Sequence, residues 1–488
     1  MKIDVLVAGA GPVGLAMASE LARYGVSVWI VDKAAQRTDK SKALVVWPRT
    51  LELMDRSGCG EKLIAAGMRV TGSNVFADGK EIVHIPLDTV ESPHPYALML
   101  PQSETERVLD EHLNGFGVQV ERNVELVGFV AGDDCVTSTL RHSDGQEETV
   151  ESSWLIGCDG AHSAVRHGLG MQFIGDTLQS EWILADVHLT GVPKPSEVSV
   201  IWHAEGVLVI FPITNDRYRI IADMGEIQGD TRRPDPTLEE VQAILDQRGE
   251  GIRASDPIWL SYFHINERKV KDYRAGRVFL AGDAAHIHSP AGGQGMNTGV
   301  QDACNLAWKL ALVSRGLCKE EPLLGSYSIE RSAVGDMVLE AAGKTTALAI
   351  MRGGVKQAIR NHLASLIFGF GPVKRMAANV ATELSIGYPK SPLSVHSAHE
   401  LEKPAAGERA PIREGEVPVG AGTVPLFVLC GEAQDLPGRY AGIVDADFRK
   451  PFHDDGLWLV RPDGYVAVAT ERGNWAEVSA FLDQLTAA

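Results

Sequence analysis

Residue types suited to ligand chemistry appear first at the N-terminus. A short apolar run, 4–8, leads into Gly9-Ala-Gly11-Pro-Val-Gly14, and a second apolar run, 26–31, ends at Asp32. Glycines at this spacing between strand and helix allow a tight turn, close approach of backbone to a pyrophosphate, and close helix packing. An acid ending the second strand accepts hydrogen bonds from a ribose diol. The stretch predicts a dinucleotide site comprising Gly9, Gly11, Pro12, Val13, Gly14, Asp32 and Lys33.

A second glycine-rich stretch lies far downstream. The apolar run 278–281 is bounded by glycine and predicts a buried strand, with Asp283 at its end. Glycines then precede a long helical pattern, 300–312. Glycine lets backbone N–H groups approach a ligand, and a helix N-terminus favours negative charge. We therefore expect one carboxylate beside an anion-binding turn, formed by Gly282, Asp283, Pro290, Gly293, Gly295, Met296 and Asn297.

Three motifs together resemble a known family. They are Gly9–Gly14, the stretch Cys158-Asp159-Gly160-Ala-His-Ser-Ala-Val-Arg166, and Gly282-Asp283-Ala-Ala-His286. These resemble the three signatures of single-component flavoprotein aromatic hydroxylases. The longer form of the third motif, through Asn297, is similar to the branch of phenol hydroxylase, pentachlorophenol monooxygenase and polyketide hydroxylases. The resemblance extends over nearly the whole chain.

The resemblance implies an activity. FAD would be reduced by NAD(P)H, react with O₂ to a C4a-hydroperoxide, and hydroxylate a small phenolic or polyketide aromatic substrate. The sequence has no second βαβ fingerprint for a nicotinamide, so NAD(P)H is expected to bind transiently on the flavin domain. No catalytic side chain is assigned because the flavin carries the chemistry.

Further site residues follow from the resemblance. Lys42 stands where the family usually has an arginine that reaches the FAD phosphates, and lysine lacks the bidentate fork. Gln102 is expected near the ribityl or pyrophosphate region, before a helix that Ser103 would cap. Asp159 belongs to a motif tied to both FAD and NAD(P)H. His286 is expected to be structural, packed behind the loop.

The expected fold class is α/β with three domains. A Rossmann-like FAD-binding domain would comprise 1–172 and 272–395. Alternating strand patterns in 173–271 predict an inserted antiparallel β-sheet domain that binds the substrate. Residues 396–488, with a Pro462-Asp463-Gly464 hairpin, resemble the thioredoxin-like tail of the phenol hydroxylase branch. Cys430 stands alone there without a CxxC, which excludes dithiol chemistry and favours a structural or dimer-supporting role.

Composition narrows the function classes. The 488 residues carry a formal net charge of −18, which disfavours nucleic acid as a partner. Six cysteines without metal-like spacing predict a reducing compartment and no metal site. No apolar run approaches the ~18 residues of a membrane span, and the first strand directly follows Met1. We expect a cytoplasmic protein without membrane association, and a homodimer remains open.

Several alternatives remain at this stage. A Baeyer–Villiger oxygenase or an epoxidase would share every motif, and a non-catalytic flavin-binding redox module is a more remote alternative. A flavin halogenase is disfavoured because Trp182, Trp202 and Trp259 lack a Trp-x-Trp-x-Ile-Pro context. Arg217 and Arg219 share a strand face that either lines the pocket or faces solvent. The substrate and the choice between NADH and NADPH stay open.

Overall fold

The computed structural model describes residues 3–226, 234–290, 292–397, 403–432 and 438–486. They form a mixed α/β fold. The strands are Ile3–Ala8 (β1), Val28–Asp32 (β2), Val45–Val46 (β3), Met68–Val70 (β4), Gly72–Ala77 (β5), Lys80–Pro86 (β6), Ala97–Met99 (β7), Glu121–Arg122 (β8), Val124–Ala131 (β9), Val136–His142 (β10), Glu147–Gly157 (β11), Ile174–Thr190 (β12), Val198–His203 (β13), Gly206–Pro212 (β14), Arg217–Glu226 (β15), Arg253–Lys269 (β16), Arg274–Ala275 (β17), Val278–Leu280 (β18), His286–Ile287 (β19), Val395–His396 (β20), Val428–Cys430 (β21), Gly456–Val460 (β22) and Val466–Glu471 (β23).

The helices lie mainly around the first sheet and in the segment after residue 294. No helix in the described parts of the chain is long and apolar enough to cross a membrane. The helices are Pro12–Arg23 (α1), Pro48–Ser57 (α2), Gly60–Ala66 (α3), Gln102–Asn114 (α4), Ala164–Gly168 (α5), Leu238–Arg248 (α6), Gly295–Ser314 (α7), Glu320–Leu323 (α8), Gly325–Ala349 (α9), Gly354–Ile367 (α10), Gly371–Ala381 (α11) and Trp475–Leu485 (α12).

The first sheet has a parallel core. Its path is β17-β18-β11-β1-β2-β8, and the β9–β10 hairpin joins at β11. Strands β18, β11, β1, β2 and β8 run parallel, with Val5 opposite both Val28 and Trp154. Val5–Val7 are fully buried, as expected for a strand covered on both faces. Because parallel strands end at one edge, the turns after β1, β2, β11 and β18 lie together there.

The second sheet has eight strands in the order β19-β16-β12-β15-β14-β13-β5-β6. Its pairs are antiparallel except β13 with β5, where Val198 lies opposite Ser73. The sheet is therefore wider than residues 173–271, because residues 72–86 and 286–287 add strands at its two edges. A hairpin before the predicted boundary extends this sheet because β5 pairs with β13, a partner that local patterning does not reveal.

The C-terminal part forms a four-stranded sheet, β20-β23-β22-β21, beside α12. The turn at Pro462-Asp463-Gly464 joins β22 and β23, and the Arg461 amide donates to Tyr465 O over 2.8 Å. The sequence at 440–444 also predicts a strand, but the structure differs there, because Gly438–Tyr440 is a short 3₁₀ turn followed by isolated bridges.

Two helix starts also differ from expectation. Helix α4 begins at Gln102 after Pro101, and Ser103 does not cap it, because its hydroxyl lies 2.9 Å from the hydroxyl of Ser41. Helix α7 begins at Gly295, five residues before the predicted pattern. The apolar spacing that marks a helix becomes visible only after its glycine-rich first turn.

Glu383 joins the chain after α11 to the start of α7. Its carboxylate accepts hydrogen bonds from the Thr298 hydroxyl at 2.9 Å and the Gln301 amide at 2.6 Å. Glu383 is 1% exposed and has φ 61°, a left-handed conformation that is unfavourable for glutamate. Burial raises its pKa to about 8 despite these hydrogen bonds.

A carboxyl with a raised pKa in the folded state makes unfolding pH-dependent. Between pH 4.5 and about 8 the folded chain holds a proton here that the unfolded chain has lost, so stability falls as pH rises. We expect Glu383→Gln to lose less stability than the wild type over this range, by roughly 2–4 kcal/mol. Urea unfolding of both proteins at several pH values measures this difference in the free energy of unfolding. The exposed Glu340→Gln serves as control, and a Glu383→Gln profile parallel to the wild type would contradict the assignment.

Candidate active site

The first glycine turn is fixed by packing at two of its three glycines. Gly9 has φ 100°, and a Cβ there would lie 2.4 Å from the Cys158 carbonyl oxygen. A Cβ at Gly14 would lie 1.9 Å from the Gly9 carbonyl oxygen. Both positions therefore require glycine for the strand, turn and helix to pack.

Gly11 differs, because a Cβ there would meet no atom within 4 Å. It is the N-cap of α1 and offers no side-chain cap, so backbone N–H groups of the first helical turn face open space. Pro12 begins the helix. Val13 packs against the turn at Gly282, because a Cβ on Gly282 would lie 2.8 Å from the Val13 side chain. The open cradle at a helix N-terminus fits the pyrophosphate of a dinucleotide.

Asp32 closes this turn from the end of β2. Its carboxylate accepts hydrogen bonds from the Ala10 amide at 2.6 Å and the Ala34 amide at 2.7 Å. Each oxygen retains a lone pair, so a ribose diol can still be bound. Lys33 follows with an exposed side chain.

The second motif lies beside the first. The Asp159 carboxylate accepts from the Ala164 and Val165 amides at 2.7 and 3.2 Å, so it shapes the turn before α5. Its other oxygen, Oδ1, is buried without a hydrogen-bond partner in the described structure. Arg166 donates to the Ala284 carbonyl at 3.1 Å and thereby connects this motif to the third.

Asp302 holds the Gly282 turn from below. Its Oδ2 accepts from the Gly282 amide and from His286 Nε2, each at 2.9 Å. Its Oδ1 accepts from Arg331 Nε at 2.5 Å, and both charged side chains are fully buried. Burial alone would raise the pKa of Asp302, but Arg331 and His286 more than offset it and lower the pKa. Sequence reasoning missed Asp302; an acid inside an apolar helix was the available signal.

His286 lies packed behind the turn, in the position expected of a structural residue. It is 2% exposed and stacks on Tyr273 at 5.8 Å between ring centroids. Asp283, three residues earlier, is instead solvent-exposed. Protein atoms around its carboxyl group still raise the pKa of Asp283, and His286 and Lys42 oppose this rise.

Asn297 uses its side chain to organise the second turn. It is fully buried, accepts from the Trp47 amide at 2.8 Å, and donates to Val45 O and Gly293 O at 2.8 and 3.0 Å. The side chain of Asn297 is therefore fully engaged within the protein. A ligand could contact the backbone of Asn297, and that of Gly295 and Met296 in the first turn of α7. Pro290 O accepts from the Gly293 amide at 2.9 Å, which closes the turn.

His288 lies under the same turn, and sequence reasoning gave it no role. Its Nδ1 donates to the Ser289 carbonyl at 2.9 Å, while Nε2 is buried without a hydrogen-bond partner in the described structure, next to Gly295. Burial, and then His286, lower the pKa of His288 to about 4. A neutral imidazole therefore supports the turn.

Gln102 positions the segment that carries Lys42. Its Oε1 accepts from the Ala43 amide at 3.1 Å, and its Nε2 donates to Glu106 at 2.9 Å. The Lys42 side chain is exposed, and its carbonyl accepts from Arg219 at 2.9 Å. Arg219 is 1% exposed and makes a two-pronged ion pair with Asp186, so this arginine does not face solvent.

The second sheet presents apolar and aromatic side chains toward the end of α9. They are partly buried and pack together with Ala349 and Ile350. Such a surface suits a flat, apolar ring system. The side chains are Val200, Trp202, Val209, Phe211 and Phe263.

Comparisons with known proteins agree with this geometry. Residues 2–342 match the family described as FAD binding domain. The chain is 34% identical to 6-methylpretetramide 4-monooxygenase of Streptomyces rimosus, over 99% of this chain and 93% of that protein. The anhydrotetracycline hydroxylase structure from Streptomyces rimosus aligns with TM-score 0.81 and 30% identity, over 100% and 99% of the two chains. A Diels-Alderase of pyrroindomycin biosynthesis aligns with TM-score 0.79 and 26% identity, over 99% of each chain.

The family match covers most of the chain, and the relative from Streptomyces rimosus shares its full length. The resemblance drawn from the three motifs is thereby confirmed. The chain belongs to the FAD-binding-domain family, and it is an FAD-dependent monooxygenase.

Proposed function

We propose that the chain is an NAD(P)H-consuming monooxygenase that hydroxylates a fused-ring, phenolic or polyketide-type aromatic substrate. The observation that carries this proposal is the meeting of the ligand-type turns at one edge of the first sheet. There the open Gly11 cradle, Asp32 and the Asp283 turn lie together. The named relatives from Streptomyces rimosus are a 6-methylpretetramide 4-monooxygenase and an anhydrotetracycline hydroxylase.

The FAD site would use the predicted residues in different ways. Gly11 and the start of α1 would receive the pyrophosphate, Asp32 the ribose, and Lys42 a phosphate across the cleft. Bound FAD supplies electron storage and oxygen activation. The N-terminus of the 20-residue helix α7 lies at this turn. Its helix dipole would stabilise negative charge there by about 1–2 kcal/mol when partly buried.

The substrate would lie between the second sheet and the turn at Pro290. Aromatic side chains such as Trp202, Phe211 and Phe263 supply an apolar wall, with the Arg360 guanidinium lying 4.2 Å from the centroid of the Trp202 ring. A dry wall keeps water from the reacting centre. Because the wall has several rings rather than one, we infer a substrate larger than a single phenol.

The domain organisation is also a proposal. A flavin-binding unit of 1–172 and 272–395, a substrate sheet centred on 173–271, and a thioredoxin-like unit of 396–488 are supported by separate sheets. Cys430 lies buried in the last unit, and burial raises its pKa to about 11, which fits a structural rather than redox role. NAD(P)H would bind transiently on the flavin-binding unit.

A second candidate function follows from one comparison. The Diels-Alderase has this fold, so the scaffold also supports a reaction other than oxygen insertion. A Baeyer–Villiger oxygenase or an epoxidase shares the motifs as well. Product analysis separates these candidates from a hydroxylase.

Gly11 and Gly14 allow a matched test of the FAD site. Gly11→Ala places a methyl group in the open cradle, so we expect the apoprotein to keep its stability within about 1 kcal/mol. Its FAD dissociation constant should rise about tenfold, a loss of about 1.4 kcal/mol. Gly14→Ala should instead destabilise the apoprotein because its Cβ meets the Gly9 carbonyl. Flavin-fluorescence titration and thermal melts measure both, and unchanged FAD affinity in Gly11→Ala would refute the assigned cradle.

The activity is tested with the purified FAD-loaded protein. We expect NADPH or NADH oxidation to be stimulated by fused-ring phenols of the anthraquinone or tetracycline type, and less by single-ring phenols. The product should gain one ring oxygen by mass spectrometry. Oxygen inserted beside a ring ketone would move the assignment to Baeyer–Villiger chemistry, and a product isomeric with the substrate would favour the cyclisation alternative.

A further inference from the structure

The C-terminal hairpin inserts charged side chains into the interior of the molecule. Arg461, fully buried, donates Nη1 to Glu330 Oε1 at 2.6 Å and Nη2 to Glu330 Oε2 at 3.0 Å. It also makes two hydrogen bonds with Asp463, at 3.0 and 2.6 Å. Glu330 lies on α9, the helix whose Arg331 contacts Asp302 under the turns at 282–286 and 292–297. These two turns together are called the flavin turn, after the ligand proposed for them.

Three further polar side chains surround this pair and are hydrogen-bonded to it or to each other. Lys309 Nζ donates to Glu330 at 2.8 Å, and Asn305 Nδ2 donates to Glu330 at 2.7 Å and to Asp463 at 3.3 Å. All five side chains are buried. Two cations and two anions balance, which is the condition under which a buried charge network is tolerated.

A continuous set of contacts leads from the hairpin to the flavin turn. The Tyr465 ring packs on the Tyr388 ring at 4.4 Å between centroids. The Tyr388 hydroxyl accepts from Arg331 Nη1 at 3.0 Å. Arg331 also donates to Thr298 O at 2.9 Å and to Asp302, which holds the Gly282 amide and His286.

A second connection runs through α2. Arg49, fully buried, donates to the Asp463 carbonyl at 2.8 Å and to Glu52 at 3.0 Å. Arg409 donates to the same Glu52 at 3.0 Å. Helix α2 directly follows Trp47, and the Trp47 amide donates a hydrogen bond to the Asn297 side chain in the turn at 292–297. The hairpin thus contacts the supports of both halves of the flavin turn.

We propose that the 461–465 hairpin is a clamp that holds the Gly282–Asp283 turn in its FAD-binding conformation, with Arg461, Asp463 and Tyr465 as positioning residues. The C-terminal unit is then part of the cofactor site although it does not line the cleft. The inference uses the proposed function only in taking FAD as the ligand of that turn.

The main test is a charge-balanced double variant of the full-length chain, Arg461→Met with Asp463→Asn, which leaves Lys309 and Glu330 paired. The FAD dissociation constant should rise by about three- to thirtyfold. Hydrogen exchange in the apoprotein should quicken in peptides covering 281–288. The control is Arg472→Met with Glu432→Gln, an exposed pair in the same unit with side chains 54% and 66% exposed. A folded double variant with wild-type FAD affinity and wild-type exchange would overturn the proposal.

If the double variant does not fold, two tyrosines supply the test. Tyr388→Phe removes the acceptor of Arg331. The control Tyr440→Phe removes a buried tyrosine hydroxyl of the C-terminal unit that donates to Ser479 O and Asp483 Oδ1, outside this route. Tyr388→Phe should weaken FAD binding and quicken exchange at 281–288, and Tyr440→Phe should leave both unchanged. Equal effects of the two variants would refute the route through Tyr388. These measurements need no substrate, so they do not depend on which reaction the enzyme performs.

Discussion

The ion pair of Asp302 with Arg331 fixes the position of the Gly282–Asp283 turn. One oxygen of Asp302 accepts a hydrogen bond from Arg331, and the other accepts from the Gly282 amide and from His286. A single buried carboxylate thus sets the backbone at the end of β18. A buried charge without its partner is strongly unfavourable, which makes this geometry rigid. Asp283, one residue further, is thereby held facing the cleft.

The parallel sheet provides the second constraint. Its strands end at one edge, so residues far apart in the sequence meet there: Gly11 after β1, Asp32 at the end of β2, Asp159 after β11 and Asp283 after β18. Gly9 and Gly14 are fixed by packing and set the first turn, whereas Gly11 is open and leaves room for a ligand. The antiparallel second sheet carries a cluster of apolar and aromatic side chains, so the polar turns and this apolar cluster come from separate sheets.

The sequence predicted the parts of the site that depend on local backbone geometry. The turn at Gly9–Gly14 and the strand before Asp283 follow from glycine spacing and apolar runs, and the structure places them as expected. The buried side-chain pairs that hold these turns in place were not predictable in the same way. The partners of Asp302 and Arg219 lie 29 and 33 residues away, and single-sequence patterns do not encode such pairs. The role of the Asn297 side chain, 250 residues from Trp47, was hidden for the same reason.

The central claim is that this chain transfers an oxygen atom from O₂ to an aromatic ring. Turnover under ¹⁸O₂, with the substrate that best stimulates NAD(P)H oxidation, tests it most directly. The account predicts a product carrying one ¹⁸O atom on a ring carbon and none when the label is supplied only as H₂¹⁸O. A product without ¹⁸O under labelled O₂, or one labelled from water, would contradict it.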